Sequence, residues 1–475
     1  MKDLRDNGRM NLHRMLVSRA AERRPLTVGL IGAGKFGSMY LAQAKHTPGI
    51  HIVAIADLAP DRARASLART GWAPERHAAR SFGEAARSGA THITDDASAL
   101  IAAPEISIVI DATGDPAVGI AHALACCAHR KHIVMVNVEA DALAGPLLAR
   151  RAREAGVVYS LAYGDQPALI CEMVDWCRAA GFSVVAAGKG TKYLPAYHES
   201  TPSTVWPHYG FTPEMVAAGD FNAKMFNSFL DGTKSAIEMA AVANATGLTP
   251  SPDGLAFPPC GVDDLPRVLR PREQGGSLHH AGQVEVISSI ERDGRPVFRD
   301  LRWGVYVTFE AGDPTGDDYV RKCFREYGFS TDPSGRYCAM YKPYHAIGLE
   351  LGISVACVGL RNEPTGCAIA WHGDVVATAK RALAEGEMLD GEGGFTVYGK
   401  LAPAADSIAL GGLPLGLAHG VKLRHAIAAH APVRWADVEI DETAEAVRIR
   451  RDMERLFATP TDAAGTNALG SGSVR

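Results

Sequence analysis

The stretch "LTVGLIGAGKFGSMYLAQAKHT", residues 26–47, decides the fold. It combines an apolar strand, a glycine-rich turn and a helix, and Gly32, Gly34 and Gly37 have the spacing G-x-G-x-x-G. In such a turn the first glycine permits the tight bend, the second lets the backbone approach a pyrophosphate, and the third lets the helix lie close to the strand. The free N–H groups at the start of the helix then bind the anion. We therefore expect a dinucleotide here, with Lys35 and Phe36 among its contacts.

The segments that follow alternate between strand and helix patterns. Apolar strand patterns occur at residues 51–58, 91–94, 106–114, 132–141 and 157–164. Segments with helical periodicity lie between them, at residues 96–103, 116–130 and 147–156. This alternation predicts a parallel, doubly wound sheet, and so an N-terminal Rossmann domain over residues 25–165.

The choice of cofactor depends on the end of the second strand. Asp57 lies about 20 residues beyond the glycines, where a carboxylate hydrogen-bonds a ribose 2′-hydroxyl and favours NAD. Arg62 and Arg64 follow closely and could bind a 2′-phosphate, although both also fit a solvated helix face. These residues leave NADH and NADPH both open as the cofactor. Further cofactor contacts are expected from Thr113, Gly114 and Glu139.

Residues 224–239, "KMFNSFLDGTKSAIEM", predict one continuous helix with Gly232 in its middle. Asn227, Asp231, Lys234 and Glu238 recur at steps of four, three and four, which places them in one line. One interpretation is a solvated face with a Lys234–Glu238 pair worth only ~0.3–0.5 kcal/mol. The apolar surroundings favour the other, in which a buried polar line faces a polyhydroxylated substrate.

Two further groups of basic residues are candidates for the site. A short strand at residues 182–188 is expected to lead into a loop with Lys189 and Lys192, which suits a phosphorylated or carboxylated substrate. Lys342 and His345 precede an apolar helix and form a second candidate anion-binding or acid–base cluster. An exposed turn and a loop packed on aromatic residues are the respective alternatives. Between these groups, residues 283–310 predict hairpins, with strands in "QVEVISSI", "PVFRDL" and "GVYVTFE".

Composition excludes several classes of protein. The chain has 475 residues, 47% of them hydrophobic, and a net charge of −4 that gives no electrostatic footprint for nucleic acid. It contains no apolar run long enough for a membrane span, and its first residues do not resemble a signal peptide. The nine cysteines include no CxxC pair, which is typical of reduced thiols in the cytoplasm.

Several long motifs together carry a resemblance to a known family. They are "GLIGAGKFGSMY", "GDQPALICEMVDW", "AAGKGTKYLP", "KMFNSFLDGTKSAIEMAAVANATGL" and "YKPYHAIGLELGIS". Over residues 11–457 the chain resembles the 1-deoxy-D-xylulose 5-phosphate reductoisomerase-like (DRL) oxidoreductases, which have a homoserine-dehydrogenase-like architecture and a C-terminal SAF-type domain. The expected α/β organisation is an N-terminal extension (1–24), a Rossmann domain (25–165), an α+β catalytic and dimerisation domain (166–350), a β-rich SAF-type domain (351–457) and a disordered tail (458–475).

The resemblance implies NADPH-dependent conversion of 1-deoxy-D-xylulose 5-phosphate to 2-C-methyl-D-erythritol 4-phosphate, for isoprenoid precursors. On this basis Asp231 and Lys234 are expected to form an acid–base pair, and Asn227 to orient a hydroxyl. The phosphate would be bound by Lys189, Lys192 or Lys342 with His345.

The resemblance also makes a Mg²⁺ or Mn²⁺ ion an expected cofactor, with Glu172 and Glu238 as candidate ligands and no spacing that fixes the site. Two alternatives stay open: an NAD(P)-dependent dehydrogenase of another sugar phosphate, sugar acid or homoserine-like hydroxy acid, and a dinucleotide-binding regulator. A homodimer is the expected assembly.

Overall fold

The computed structural model describes residues 11–219, 221–311 and 318–458. The expected tail at 458–475, apart from Ala458, lies outside the described residues, as do residues 1–10 of the expected N-terminal extension. Within the described residues no helix is long and apolar enough to cross a membrane.

The N-terminal sheet is parallel throughout, with strand order β3-β2-β1-β4-β5-β6. Its strands are β1 (Leu26–Ile31), β2 (Ile50–Ala56), β3 (His92–Thr94), β4 (Ile108–Asp111), β5 (His132–Met135) and β6 (Tyr159–Leu161). Its helices are α1 (Leu12–Ala21), α2 (Lys35–Ala44), α3 (Pro60–Arg69), α4 (Phe82–Ser88), α5 (Ala97–Ala102), α6 (Pro116–Ala128) and α7 (Val138–Glu154). The strands are apolar because helices cover both faces of the sheet. The predicted Rossmann domain is confirmed.

A second sheet lies in the middle of the chain, with strand order β10-β11-β9-β7-β8. Its strands are β7 (Ser183–Thr191), β8 (Gln283–Ser288), β9 (Val305–Glu310), β10 (Ser330–Thr331) and β11 (Tyr337–Lys342). The helices of this region are α8 (Gln166–Ala179), α9 (Val205–Tyr209), α10 (Pro213–Ala218), α11 (Ala223–Leu230), α12 (Thr233–Thr246), α13 (Leu265–Val268), α14 (Asp318–Glu326) and α15 (Gly352–Ala356).

This sheet corrects the prediction of hairpins in part: Ile290 and Pro296 form an antiparallel bridge around the turn at 293–294, but the strands pair in another order. Strand β7 lies between β8 and β9, parallel to β8 and antiparallel to β9, and "PVFRDL" at 296–301 forms no strand. The glycines of β7 permit this close packing: a Cβ at Gly188 would lie 1.7 Å from the carbonyl oxygen of Glu285, and one at Gly190 would lie 1.9 Å from that of Leu301. Because β7 continues to Thr191, Lys189 belongs to a strand and not to a loop as expected.

The predicted continuous helix over residues 224–239 is also wrong. Helix α11 ends at Leu230 and α12 begins at Thr233, and between them Gly232 has φ +87°. Oδ1 of Asp231 accepts a hydrogen bond from the N–H of Thr233 at 2.9 Å. Since the chain turns through a left-handed residue, Asn227 and Asp231 are not in line with the polar residues of α12.

The C-terminal region is rich in strands, as expected. It contains β12 (Gly373–Ala379), β13 (Met388–Asp390), β14 (Val397–Pro403), β15 (His419–Leu423), β16 (Val438–Glu439), α16 (Ala404–Leu410) and α17 (Glu445–Ala458). These strands form two small antiparallel sheets, β12-β14 and β13-β15-β16. Before them, Leu351 and Val355 around α15 pack into the same apolar cluster as Leu26 and Leu41 of the Rossmann domain. The exact domain limits and the SAF-type label stay predictions.

Candidate active site

The glycine turn has the backbone geometry that its spacing predicts. Gly32 has φ +96°, and a Cβ there would lie 2.6 Å from the carbonyl oxygen of Ala112. A Cβ at Gly37 would lie 2.3 Å from the carbonyl oxygen of Gly32, so the helix is packed tightly against the turn. A Cβ at Gly34 would meet nothing within 4 Å, and no side chain caps the start of α2 there. The open space at Gly34 fits the approach of a pyrophosphate.

Asp57 is buried and its carboxylate is fully occupied by the protein. It accepts hydrogen bonds from the N–H groups of Ala33, at 2.8 Å, and Ala59, at 2.9 Å. Arg62 donates to the same carboxylate through Nε and Nη2, at 3.2 and 2.7 Å. Asp57 therefore links the glycine turn to α3 and fixes a guanidinium at the expected ribose position.

The two arginines of α3 differ in their surroundings. Arg62 is held by the buried Asp57, and 56% of its side chain is exposed toward solvent. Arg64 pairs at 3.1 Å with Asp61, whose side chain is fully exposed. The solvated-face interpretation therefore fits Arg64, whereas Arg62 is positioned beside the cofactor site.

The loops after β4 and β5 are tied together where a nicotinamide ring would lie. Oδ1 of the buried Asp111 accepts hydrogen bonds from the N–H and Oγ1 of Thr113, at 2.9 and 2.7 Å. Nδ2 of Asn137 donates to Thr113 Oγ1 at 3.1 Å and to the carbonyl of Asp115 at 2.7 Å. Asn137 was not expected from the sequence, although a polar residue within the strand pattern at 132–141 is the signal that could have found it.

Lys234 connects this edge of the Rossmann sheet to the middle of the chain. Its Nζ lies 2.5 Å from Oε1 of Glu139, and both side chains are largely buried. Glu139 is in the first turn of α7 and Lys234 in the first turn of α12. The structure thus brings a predicted catalytic residue against a predicted cofactor-binding residue.

Further carboxyl groups surround Lys234. Burial disfavours its charged form, but Glu139, Glu238, Glu392 and Asp165 outweigh this effect and raise the pKa of Lys234. Burial, with Glu238 adding to it, raises the pKa of Asp165 to about 7. Burial and then Glu139 raise the pKa of Glu392 well above its usual range. Carboxyl groups of this kind can exchange protons near neutral pH.

Sequence reasoning missed Asp165 and Glu392 as site residues. Asp165 is the N-cap of α8, where its Oδ1 accepts from the N–H of Gln166 at 3.0 Å. Glu392 lies in the glycine-rich turn "GEGG" at 391–394 of the C-terminal region. No local sequence pattern marks either residue as catalytic, because each one becomes a candidate only through its proximity to Lys234 in the folded chain.

Lys189 and Glu238 form a second buried pair beside His345. Lys189 Nζ donates to Glu238 Oε2, and both side chains are less than 10% exposed. Nδ1 of His345 is buried and has no hydrogen-bond partner in the described part of the chain. Burial lowers the pKa of His345, although the charge of Glu238 opposes the shift, so the ring is neutral at physiological pH. Lys342 lies nearby and pairs with Glu350 at 2.6 Å.

Asn227 and Asp231 are enclosed by protein groups. Asn227 accepts a hydrogen bond from Ser200 Oγ at 2.7 Å and donates to the carbonyls of Ser200 and Gly393, both at 3.0 Å. Oδ2 of Asp231 lies 2.8 Å from Nζ of Lys380, and both side chains are almost completely buried. These residues join α11 to the C-terminal region. Their catalytic roles stay predictions.

The carboxylates proposed as metal ligands are used elsewhere. Glu172 accepts a hydrogen bond from the hydroxyl of Tyr163, and Glu238 is paired with Lys189. The described residues contain no group of three or more His, Cys, Asp or Glu side chains placed to hold a metal ion. A Mg²⁺ or Mn²⁺ ion stays a prediction of the resemblance, and no step is derived through one.

Comparisons with known proteins give the class. Residues 26–137 match the model of an oxidoreductase family with an NAD-binding Rossmann fold, and residues 164–351 match the model described as oxidoreductase DRL, catalytic domain. No curated protein matches the chain significantly.

The chain is similar to several solved structures. An NAD-binding oxidoreductase from Klebsiella pneumoniae is 20% identical over 36% of this chain and 44% of its own, with a TM-score of 0.27. Biliverdin reductase from Synechocystis, in complex with biliverdin and NADP⁺, is 20% identical over 41% and 55%, with a TM-score of 0.26. The WlbA dehydrogenase from Bordetella pertussis, with NADH and UDP-GlcNAcA, is 17% identical over 41% and 51%, with a TM-score of 0.27.

The fold and the family matches indicate the class, an NAD(P)-dependent oxidoreductase, and the chain spans about half the length of the solved structures that it resembles. Its N-terminal domain is an NAD-binding Rossmann domain of the GFO/IDH/MocA type, and the DRL catalytic-domain match begins just after it, at residue 164. The resemblance found in the sequence is thereby confirmed for the catalytic region, whereas the homoserine-dehydrogenase-like and SAF-type labels stay predictions.

Proposed function

We propose that the protein uses NADPH to convert 1-deoxy-D-xylulose 5-phosphate to 2-C-methyl-D-erythritol 4-phosphate. The observation that carries the proposal is the Lys234–Glu139 pair, which places an ammonium group at the carboxyl edge of the cofactor-binding sheet. The DRL catalytic-domain match over residues 164–351 supports this reaction class.

The residues around Lys234 have the chemistry that the two steps need. The carbon migration breaks one C–C bond and forms another without net oxidation, and reduction of the resulting aldehyde then consumes a hydride and a proton. Bound NADPH supplies the hydride. The ammonium of Lys234 stabilises negative charge on the carbonyl oxygen, and Asp165, with a pKa of about 7, accepts and returns a hydroxyl proton. The unpartnered Nδ1 of His345 is available to orient a hydroxyl.

The surroundings of Asp57 support NADPH as the preferred cofactor. Four protein donors already occupy its carboxylate, so a ribose 2′-hydroxyl must displace one of them to bind there. Arg62, fixed at the same place and half exposed, offers a guanidinium to a 2′-phosphate.

A second candidate is an NAD(P)-dependent dehydrogenase that reduces a ketone of another sugar phosphate or sugar acid without carbon migration. The match of residues 26–137 to a general oxidoreductase family with an NAD-binding Rossmann fold supports this candidate.

The experiment combines turnover with product identity. The purified protein is incubated with NADPH and 1-deoxy-D-xylulose 5-phosphate, with chelator or with Mg²⁺ or Mn²⁺, and absorbance at the nicotinamide band and the product's NMR spectrum are recorded. A branched tetritol phosphate supports the proposal, whereas an unbranched deoxypentitol phosphate identifies the second candidate. Turnover only on a panel of other sugar phosphates or sugar acids also favours that candidate. NADPH binding without turnover on any substrate favours a regulatory protein.

The proposed setting is a cytoplasmic homodimer that binds a small phosphorylated sugar. Light scattering on a sizing column measures the assembly, and a mass of one chain would overturn the dimer.

A further inference from the structure

The basic side chains near the site differ in whether a carboxylate neutralises them. Most are paired: Lys234 with Glu139, Lys189 with Glu238, Lys342 with Glu350 and Lys380 with Asp231. A phosphate group that bound one of these lysines would have to compete with its carboxylate and would be repelled by it. These lysines are therefore poor phosphate sites.

Lys192 and Arg302 are the exception. Neither has a carboxylate partner in the part of the chain that the structure describes, and both are half-buried. Lys192 Nζ donates instead to the backbone carbonyl of His208. Burial, followed by the charge of Arg302, lowers the pKa of Lys192, and burial, followed by Lys192, lowers that of His208. Two cations thus lie close together without compensation, an arrangement that a bound dianion would stabilise.

Lys192, Arg302 and His208 form a basic group, and aromatic rings hold its Arg302 and His208 side chains in place. The guanidinium of Arg302 lies 4.7 Å from the ring centroid of Trp303 and 5.7 Å from that of Tyr209. The His208 ring packs at 4.8 Å on Tyr197. A stacked guanidinium keeps its N–H donors in its plane free for a bidentate acceptor such as phosphate.

The basic group lies next to the candidate active site. Lys192 directly follows β7, which carries Lys189. The N–H of Gly190 donates to the carbonyl of Gly304 at 3.0 Å, and the N–H of His345 donates to the carbonyl of Trp303 at 3.1 Å. The loop that carries Arg302 is therefore fastened both to the strand of Lys189 and to His345.

We propose that Lys192 and Arg302, beside His208, bind the phosphate monoester of the substrate. This proposal rests on a phosphorylated substrate, as in the proposed function, and it selects Lys192 from the lysines expected from the sequence. The sugar then lies between this phosphate subsite and Lys234, and its phosphate stays away from the carboxylates around Lys234.

The test begins with a measurement that needs no turnover. Inorganic phosphate is titrated into the NADPH-loaded protein and followed by ³¹P line broadening, for wild type, Lys192→Met, Arg302→Met and Arg302→Lys. The matched control is Arg299→Met, because Arg299 lies on the same loop, is exposed and pairs with Asp263 at 2.8 Å. We expect phosphate to bind wild type and the control, to be lost in both Met variants and to be weakened in Arg302→Lys. Equal binding in all of them would overturn the proposal.

Kinetics then relate the subsite to catalysis. With 1-deoxy-D-xylulose 5-phosphate, each Met variant is expected to raise KM about 30-fold or more with a smaller change in kcat. With unphosphorylated 1-deoxy-D-xylulose, added phosphite is expected to accelerate wild type and not the variants. If wild type turns over and the Met variants have the same KM and kcat as Arg299→Met, the phosphate subsite is refuted and the proposed reaction is not. Phosphate binding at the subsite without turnover would instead refute the proposed reaction. Circular dichroism and NADPH binding of each variant show whether it is folded.

Discussion

Nζ of Lys234 lies 2.5 Å from Oε1 of Glu139, so the start of α12 is tied to the residues that follow β5 of the cofactor-binding sheet. Lys234 belongs to the region that matches the DRL catalytic-domain model, and Glu139 belongs to α7, which begins directly after the Rossmann-family match ends at residue 137. In the proposed mechanism this contact brings a lysine of the middle region to a carbonyl group beside the nicotinamide.

Replacing Lys234 by methionine should lower kcat/KM by about a hundredfold or more, because the charge that stabilises the carbonyl oxygen is lost. The Kd for NADPH should change little. Lys322→Met is the control, since Lys322 is 71% exposed on α14 and remote from the site in sequence. Steady-state kinetics and a fluorescence titration measure both quantities. A wild-type rate in Lys234→Met would remove it from the mechanism.

Asp231→Asn should mainly lower the free energy of unfolding. It leaves Lys380 buried without a counterion, and breaking a buried pair in this way costs about 3–5 kcal/mol. Urea denaturation measures the loss, and kcat of the folded variant separates this role from catalysis. A hundredfold fall in kcat with unchanged stability would support the catalytic role predicted from the sequence.

Alanine substitutions in the glycine turn should have different effects. Gly32→Ala and Gly37→Ala should destabilise the domain, because the added Cβ would lie 2.6 or 2.3 Å from a backbone oxygen. Gly34→Ala should keep the melting temperature, since its Cβ meets nothing within 4 Å, but should weaken NADPH binding by filling the pyrophosphate site. Thermal melts and NADPH titrations test the contrast, and equal affinity in Gly34→Ala and wild type would contradict it.

Arg62→Met should raise the KM for NADPH about tenfold or more and leave that for NADH almost unchanged, because Arg62 would contact only the 2′-phosphate. Arg64→Met is the matched control on the same helix, since Arg64 pairs with the exposed Asp61. Parallel kinetics with the two cofactors measure the ratio. An unchanged ratio in Arg62→Met would place the 2′-phosphate elsewhere.

Stability should depend on the protonation of Asp165. Its pKa is raised to about 7 in the folded protein, above the value of about 4 in an unfolded chain, so the folded state binds more protons between these values. The contribution of Asp165 is therefore fully present below pH ~4 and is lost as the pH rises through about 7. Asp165→Asn should flatten the decline in unfolding free energy between about pH 4 and pH 7, measured by urea denaturation at several pH values. Parallel profiles for variant and wild type would refute the raised pKa.

The sequence predicted more of the cofactor-binding side of the site than of the substrate side. The glycine turn, Asp57 and the alternation of strands and helices are local patterns, so the sequence predicts them directly. The polar line of residues 227–238 assumed one helix, and Gly232, with φ +87°, interrupts it. The catalytic roles that the sequence suggested along this line stay predictions.

The sequence by itself determined a dinucleotide-binding domain and a DRL-like catalytic region, because both depend on residues close together in the chain. The tertiary structure determined which side chain each charged side chain pairs with. Lys234 meets Glu139 across 95 positions, and Lys189 meets Glu238 across 49. Among the residues that the structure describes, it also left Lys192 and Arg302 without a carboxylate partner. Such pairings depend on how β7 and α12 pack, and no spacing along the chain encodes the electrostatic balance of side chains that meet only in the folded protein.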